Sequence, residues 1–394
     1  MRKKEDLYNR KKTYENTLER IKSSKKLIKQ NKELILKFHS QCFAEGLSIA
    51  RVTKYLYTLE QLSFMLNKPF DKATKEDIVK LVEKIEKQED WSEWTKQHYK
   101  VTLKKFYRWL RGISTKGVYP EEVAWINTTL KNSNSKLPDE ILTEDEIKRL
   151  AQVASNPRDK ALVLVFYESG ARVGELLPIK IKQITFDDYG AILLVTGKTG
   201  DRRIRLVASA PALANWLNVH PFKDDPEAYV WVSFATNRKY EPLNHRGVYE
   251  LFKDLAKKAK IKKKVNPHAF RHARATHLAS KLTEQQLKML FGWSQASKMA
   301  SIYVHLSGRD VDNALLELHG LTKPKEGEKK FKVKICPRCG EKNSPEAIYC
   351  NKCAFPIDAE TFEWENKVMN ELVKNPKFRR YMEVLLRKVS LSKY

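Results

Sequence analysis

The 394-residue chain is 42% apolar, enough for real cores, and its length suits two or three domains at roughly 100–200 residues each, so a wholly disordered chain is excluded. Lysine and arginine total 75 against 48 acidic residues, a formal charge of +27. That excess points to a polyanionic partner, because each neutralised phosphate releases counterions, and lysine outruns glutamate too far for a merely heat-adapted surface. No run of about 18 apolar residues occurs, and the basic start Met1-Arg2-Lys3-Lys4 lacks an apolar h-region, so a membrane span and a secretory signal are excluded and a cytoplasmic protein is expected.

Residues 1–40 read as a basic helical arm, charged nearly all round. Residues 41–130 read as an all-α domain. Its first helix carries Tyr55, Leu56, Leu59, Leu62, Met65 and Leu66 at helical spacing. A second is predicted over Lys75–Lys87 with Ile78, Leu81, Val82 and Ile85 inward, after the candidate caps Asp71 and Thr74. A third, Trp94–Gly112, turns Tyr99, Leu103, Phe106, Tyr107 and Leu110 inward. It presents Lys96, Lys100, Lys104, Lys105, Arg108 and Arg111 outward as a basic face. Asn132 to Pro138 is a polar linker.

Residues 138–322 are mixed. Thr143 and Glu146 make a capping box that opens a helix through Leu150, and another helix covers Asp159–Glu168. Strand signals follow at Ile181–Phe186, Ala191–Val195, Arg203–Val207 and Tyr229–Phe234. Helices resume at Asn244–Lys260, Pro267–Ser280, Thr283–Phe291 and Lys298–Val304. Helices, a small antiparallel sheet, then helices argue an α+β domain. A Lys/Gly/Glu linker over 323–335 leads to a four-cysteine module at 331–358 and a helical tail at 359–394.

Five short stretches carry chemistry. Ser169-Gly170-Ala171-Arg172 lets a glycine turn the chain after an apolar helix and present a guanidinium. Gly197-Lys198-Thr199-Gly200 is a tight turn offering one lysine. In His268-Ala269-Phe270-Arg271-His272 the i, i+3 spacing puts His268 and Arg271 on one helical face. Phe291-Gly292-Trp293 stands at a helix end, and Ser301-Ile302-Tyr303-Val304-His305 closes the series. Taken singly, each admits a plainer reading: a surface ion pair for Arg172, a solvated Lys198, a helix face touching a carboxylate for His268 and Arg271, core aromatics for Trp293 and Tyr303.

Together and in this order, the stretches resemble the tyrosine recombinase (phage integrase) family. The resemblance covers about residues 140–320 and carries over to Arg172, Lys198, His268, Arg271, Trp293 and Tyr303 as active-site residues. It implies a tyrosine recombinase catalytic domain over 138–322, with 41–130 matching the family's core-binding, DNA-binding domain by position and pattern. The chain departs from the common pattern in three features: the second glycine of Gly-Lys-Thr-Gly comes one place late, and Trp293 stands where most members have histidine. The interval from Trp293 to Tyr303 is also one residue longer than in bacterial Xer-like members.

The residue types suit phosphodiester chemistry. Arg172 and Arg271 can hold the non-bridging oxygens bidentately and stay charged. A tyrosine, with a pKa of about 10, needs help to attack. His268 is suited to take its proton. Lys198 is the best candidate to protonate the leaving 5′-oxygen, and the indole N–H of Trp293 can donate to a phosphate oxygen. Glu175 has no place against phosphate and is expected to orient Arg172 or a nearby amide. No nucleotide cofactor or catalytic metal is needed, since the arginines supply the charge that Mg²⁺ provides elsewhere.

Cys336-Pro337-Arg338-Cys339 and Cys350-Asn351-Lys352-Cys353 form two Cys-x-x-Cys knuckles. They suit a structural Zn²⁺ in a small zinc ribbon, the alternative being two disulfides in an oxidising or hyperthermophilic cytosol. Such a ribbon looks like an archaeal or mobile-element addition to the family. Cys42 stands alone and reads as a buried small hydrophobe. The expected partners are double-stranded DNA and, in the synapse, a homotetramer on DNA, favoured over a monomeric type IB topoisomerase by the apolar helix at 312–321. The competing roles are site-specific integration, Xer-like chromosome or plasmid dimer resolution, and a catalytically silent DNA-binding regulator.

Overall fold

The structure, a computed structural model, describes residues 9–130 (116 apart), 141–306 (198, 199 and 280 apart), 316, 319 and 331–391. It divides into two compact units, Met1–Ser135 and Lys136–Tyr394.

The first unit is helical: α1 (Arg10–Ser23), α2 (Lys29–Ala44), α3 (Ile49–Leu66), α4 (Lys75–Glu86), α5 (Glu93–Leu110) and a single turn, α6 (Glu121–Ala124). Thr74 caps α4 in a reciprocal box with Asp77, and Ser92 caps α5. The expectation of a separate arm over 1–40 needs correction. Ile21, Leu27, Ile35, Phe38 and Cys42 are buried in the same core as Leu59, Leu62, Ile78 and Phe106. The large apolar positions in α1 and α2 are few, but Tyr14, Leu18, Leu34, Leu36 and Phe43 also pack against this core. Asn31 pins α2 further: its amide donates to Ser63 Oγ (2.8 Å) and accepts from the Phe70 N–H (2.7 Å). The basic face of α5 is also less free than the sequence suggests. Lys100 pairs with Glu86, Lys105 with Glu45 and Arg111 with Glu122, while Lys96 and Lys104 donate to backbone carbonyls.

In the second unit α7 (Glu144–Gln152) begins at the Thr143–Glu146 capping box. α8 (Pro157–Ser169) is buried along almost its whole length, because its central run Ala161–Tyr167 is apolar on every face. It is the central post, with α7, α10 (Ala210–Asn218), α12 (Pro267–Ala279) and the third strand packed around it. Glu168 near its C-terminus is buried and accepts from the N–H groups of Val207, Ala208 and Ser209, which ties the exit of the sheet to α8. After the one-turn α9 (Val173–Leu176) come β1 (Ile184–Asp187), β2 (Gly190–Gly197) and β3 (Gly200–Leu206). They form an antiparallel meander in which Ile184 faces Leu193 and Val195 faces Arg202.

The fourth expected strand, Tyr229–Phe234, does not join this sheet; it makes isolated bridges, Lys180 with Tyr229 and Val232 with Pro242. Its backbone is occupied elsewhere: the Val230 N–H donates to Ile179 O, and Val230 O accepts from the Trp216 indole of α10. The helix α10 was not anticipated. α11 (His245–Lys258), α12, α13 (Glu284–Phe291) and α14 (Met299–Leu306) complete the domain close to the predicted bounds. The 132–138 linker and nearly all of the 312–321 segment lie outside the described residues. Beyond, β4 (Lys334–Ile335) pairs with β5 (Lys342–Asn343), and two helices follow, Ala359–Lys374 and Pro376–Leu391. Among the described residues no helix is long and apolar enough to cross a membrane.

Candidate active site

The helix α8 ends at Gly170, whose φ of 54° is left-handed. A Cβ there would also lie 2.3 Å from Cε1 of Phe291, so both the turn and the packing demand glycine. The turn delivers Arg172 to the start of α9. Its N–H and its guanidinium both donate to Glu175, at 2.8 and 2.9 Å, and the guanidinium reaches Gly292 O at 3.2 Å. Glu175 is thus the orienting carboxylate expected from the sequence. Its burial favours the neutral acid, yet hydrogen bonds from Arg202 and Arg172 outweigh that and hold its pKa down at about 2.

Arg271, from α12, is buried and donates to Gly170 O (2.8 Å) and Phe291 O (2.6 Å). Among the described residues no carboxylate lies within ion-pair distance of it. Burial first, and the neighbouring Arg172 second, pull its pKa down to about 9, which still leaves a cation at neutral pH. Its hydrogen bonds go to carbonyls, and the nearby Glu175 is already paired with Arg172 and Arg202, so the site is short of negative charge that an entering anion would supply.

Tyr303 of α14 lies against the same site. Its ring stacks on Trp293 with centroids 5.6 Å apart and planes 5° apart, and Trp293 stacks on Phe291 at 4.9 Å. The Arg271 guanidinium sits over both Phe291 and Trp293, 5.1 and 5.5 Å from their centroids. The Tyr303 hydroxyl is hydrogen-bonded to Nδ1 of His272. Burial pushes the phenol up to about 12, only partly offset by Arg271, so the resting side chain is protonated and needs an acceptor when it attacks. Arg172, His268, Arg271, His272, Trp293 and Tyr303 all line one cleft of about 510 Å³.

Five of the six residues singled out in the sequence therefore converge. The sixth, Lys198, lies outside the described residues, though the strand ends flanking its turn pair at Gly197 and Gly200. Gly197 packs directly on the orienting carboxylate: a Cβ there would be 2.4 Å from Glu175 Oε1. His268, expected to take the phenol's proton, is exposed at the cleft, and the phenol is hydrogen-bonded to His272, one helical turn on. The i, i+4 spacing of the two histidines on α12 was the available signal.

The four clustered cysteines bring their sulfurs within 4.8 Å of one another. Cys336–Cys353 and Cys339–Cys350 stand at 3.6 Å, which is not a disulfide. It is close to the edge of about 3.8 Å expected for a tetrahedron of thiolates around Zn²⁺ with bonds of about 2.3 Å. Each knuckle closes on a left-handed residue, Gly340 (φ 73°) and Ala354 (φ 56°), whose N–H groups donate to Cys336 O and Cys350 O. The group fits a metal ion.

The phage integrase family matches residues 140–309, the segment that carries Arg172, Arg271, Trp293 and Tyr303. Over that segment the chain is similar to the phage integrase family. Tyrosine recombinase XerA of Pyrococcus horikoshii is 31% identical over 189 residues, covering 47% of this chain and 64% of the relative. XerA of Pyrococcus furiosus is 30% identical over 188 residues, covering 46% of this chain and 64% of the relative. The chain thus spans just under two thirds of the length of these relatives. Among solved structures, XerH bound to palindromic difH in a post-cleavage complex covers 81% of this chain and 98% of its own (TM-score 0.55, 18% identity). A lambda integrase tetramer bound to a Holliday junction covers 69% and 76% (TM-score 0.53, 17% identity). At such identities the integrase segment and these structures share the fold: helices around a small antiparallel sheet.

Proposed function

We propose that the chain is a site-specific DNA recombinase that breaks and rejoins strands through a 3′-phosphotyrosyl bond at Tyr303. The observation that carries this reading is the buried Tyr303 hydroxyl, bonded to His272, in a cleft with two guanidiniums and no carboxylate partner for Arg271 among the described residues. Tyr303 Oη attacks the scissile phosphorus and its proton passes to His272 Nδ1. Arg172 and Arg271 turn from carbonyl partners to the non-bridging oxygens as charge builds there. The P–O5′ bond breaks, the 5′-oxygen takes a proton, and the phosphotyrosyl ester keeps the energy of the broken bond. A 5′-hydroxyl from another strand reverses the sequence, so no ATP and no catalytic metal enter. A catalytically silent regulator with this fold would have no use for an aligned tyrosine, histidine and arginine pair.

Lys198 is the proposed donor to the leaving oxygen. Lys198→Ala is expected to cleave a normal duplex slowly but to recover on a substrate with sulfur at the 5′-bridging position, which leaves unprotonated. Equal slowness on both substrates would move the acid role to another group.

The partners that follow are double-stranded DNA and a homotetramer on two duplexes, since strand exchange needs two cleaved strands from each of two sites held at once. A DNA substrate places the protein in the cytoplasm, acting in integration or in Xer-like dimer resolution. Residues 41–130, with the preceding helices packed on them, serve as the DNA-binding domain, and 138–322 as the catalytic domain. Cys336, Cys339, Cys350 and Cys353 hold a structural Zn²⁺ in a ribbon over 331–358, followed by the tail at 359–394. With all four positions taken by thiolates, the metal stabilises the fold and has no open position for catalysis. Purified protein is expected to contain about one zinc per chain, and replacing Cys350 with serine to remove it. Metal analysis that finds none in the unsubstituted protein would reject the site.

A further inference from the structure

Arg202 has no part in the mechanism above, yet it sits directly behind it. It stands on β3, opposite Val195, with its side chain only 11% exposed. Its Nη2 donates to Glu175 Oε2 at 2.8 Å, and its Nε donates to Leu290 O at 3.1 Å. Its Nη1 is buried without a hydrogen-bond partner. The last carbonyls of α13 are therefore shared among three guanidiniums: Leu290 O takes Arg202, Phe291 O takes Arg271 and Gly292 O takes Arg172. A helix C-terminus, with its partial negative charge and unpaired carbonyls, is a natural cradle for cations. It does not neutralise them. Glu175 is the carboxylate shared between Arg172 and Arg202.

Burying a third arginine here, one donor unpaired, costs stability that an apolar side chain would not. The arrangement makes sense as charge bookkeeping around the phosphate position. With Arg202 absent, Glu175 and Arg172 would form a neutral pair, and Arg271 alone would face the phosphate. We propose that Arg202 is a positioning residue: it occupies Glu175 Oε2, so that Glu175 can orient Arg172 without cancelling the charge Arg172 brings to the scissile phosphate. This inference rests on reading the cleft as a site of phosphodiester cleavage.

The test is a double-mutant cycle on full-length protein. Single-turnover formation of the covalent adduct is followed on a nicked duplex selected from a random pool by binding to the protein. Arg202→Met is expected to slow cleavage by about 10²-fold, with duplex affinity held within a few-fold. Adding Glu175→Gln, which removes the charge that Arg202 no longer occupies, is expected to recover about tenfold of that loss. Arg202→Lys, which keeps the charge, should fall between the wild type and Arg202→Met, and thermal unfolding reports which variants fold. A double variant as slow as Arg202→Met or slower, or wild-type cleavage by Arg202→Met, would overturn the proposal. If Arg202→Met does not fold, Arg202→Lys against Arg202→Lys with Glu175→Gln decides by the same sign. An unsubstituted protein that binds the duplex and forms no adduct would instead bring down the underlying cleavage reading.

Discussion

Replacing Tyr303 with phenylalanine is expected to abolish covalent attachment to DNA while leaving binding and folding in place. The substitution removes one oxygen. The ring remains to stack on Trp293 and to fill the small core of Ala275, Leu287, Phe291 and Ala300. The hydrogen bond to His272 is lost, but the freed Nδ1 faces an open cleft where water can replace the phenol, so the stability change should stay within about 1 kcal/mol. No other side chain among those lining the cleft carries a comparable buried, histidine-bound hydroxyl. Denaturing electrophoresis of nicked-duplex reactions measures the effect: the variant should retain duplex binding and give no shifted protein–DNA band. A persistent band would mean another nucleophile.

The second large effect is expected at Arg271. Its truncation to alanine should slow single-turnover cleavage by about 10²–10³-fold or more, the loss typical for one positioned donor to a developing oxyanion. The fold should tolerate the change. Arg271 is a buried cation without a carboxylate partner among the described residues, so its removal relieves repulsion from Arg172 even as it frees the carbonyls of Gly170 and Phe291. Lysine at this position should restore little, because one ammonium cannot span Gly170 O, Phe291 O and a phosphate as a planar guanidinium does. Near-normal cleavage by Arg271→Ala would remove Arg271 from the phosphate site.

Much of this site is legible in the sequence. Gly170 announced a turn that would present Arg172, and the spacing of His268 and Arg271 put both on one face of α12. Phe291-Gly292-Trp293 marked a helix end, and Gly292 does close α13 in the left-handed conformation. These are local signals, written in residues close together in the chain. The parts that escaped are tertiary. Arg202 and Glu175 lie on β3 and α9, and nothing in either segment names the other as partner. His272 is hard to read from spacing, because neighbouring residues on a helix diverge by about 100°, yet Arg271 and His272 both line the cleft. The first two helices looked like a solvated arm because hydrophobic pattern is judged by density, whereas Ile21, Ile35, Phe38 and Cys42 needed only to reach a core formed by later helices. Tyr229–Phe234 has the composition of a strand, but its backbone pairs locally with Ile179 and with Tyr240, Glu241 and Leu243, and Val230 O takes the Trp216 indole, so it does not extend the three-stranded sheet.

The central claim is tested most directly by isolating the adduct itself. Wild-type protein would be trapped on a nicked duplex from which the 5′-terminated fragment diffuses away, digested with trypsin, and the DNA-linked peptide sequenced by mass spectrometry. The account predicts one linkage, from the 3′-phosphate of the DNA to Oη of Tyr303. A 5′-phosphate linkage, a linkage to any other residue, or no covalent product from protein that binds the duplex would contradict it.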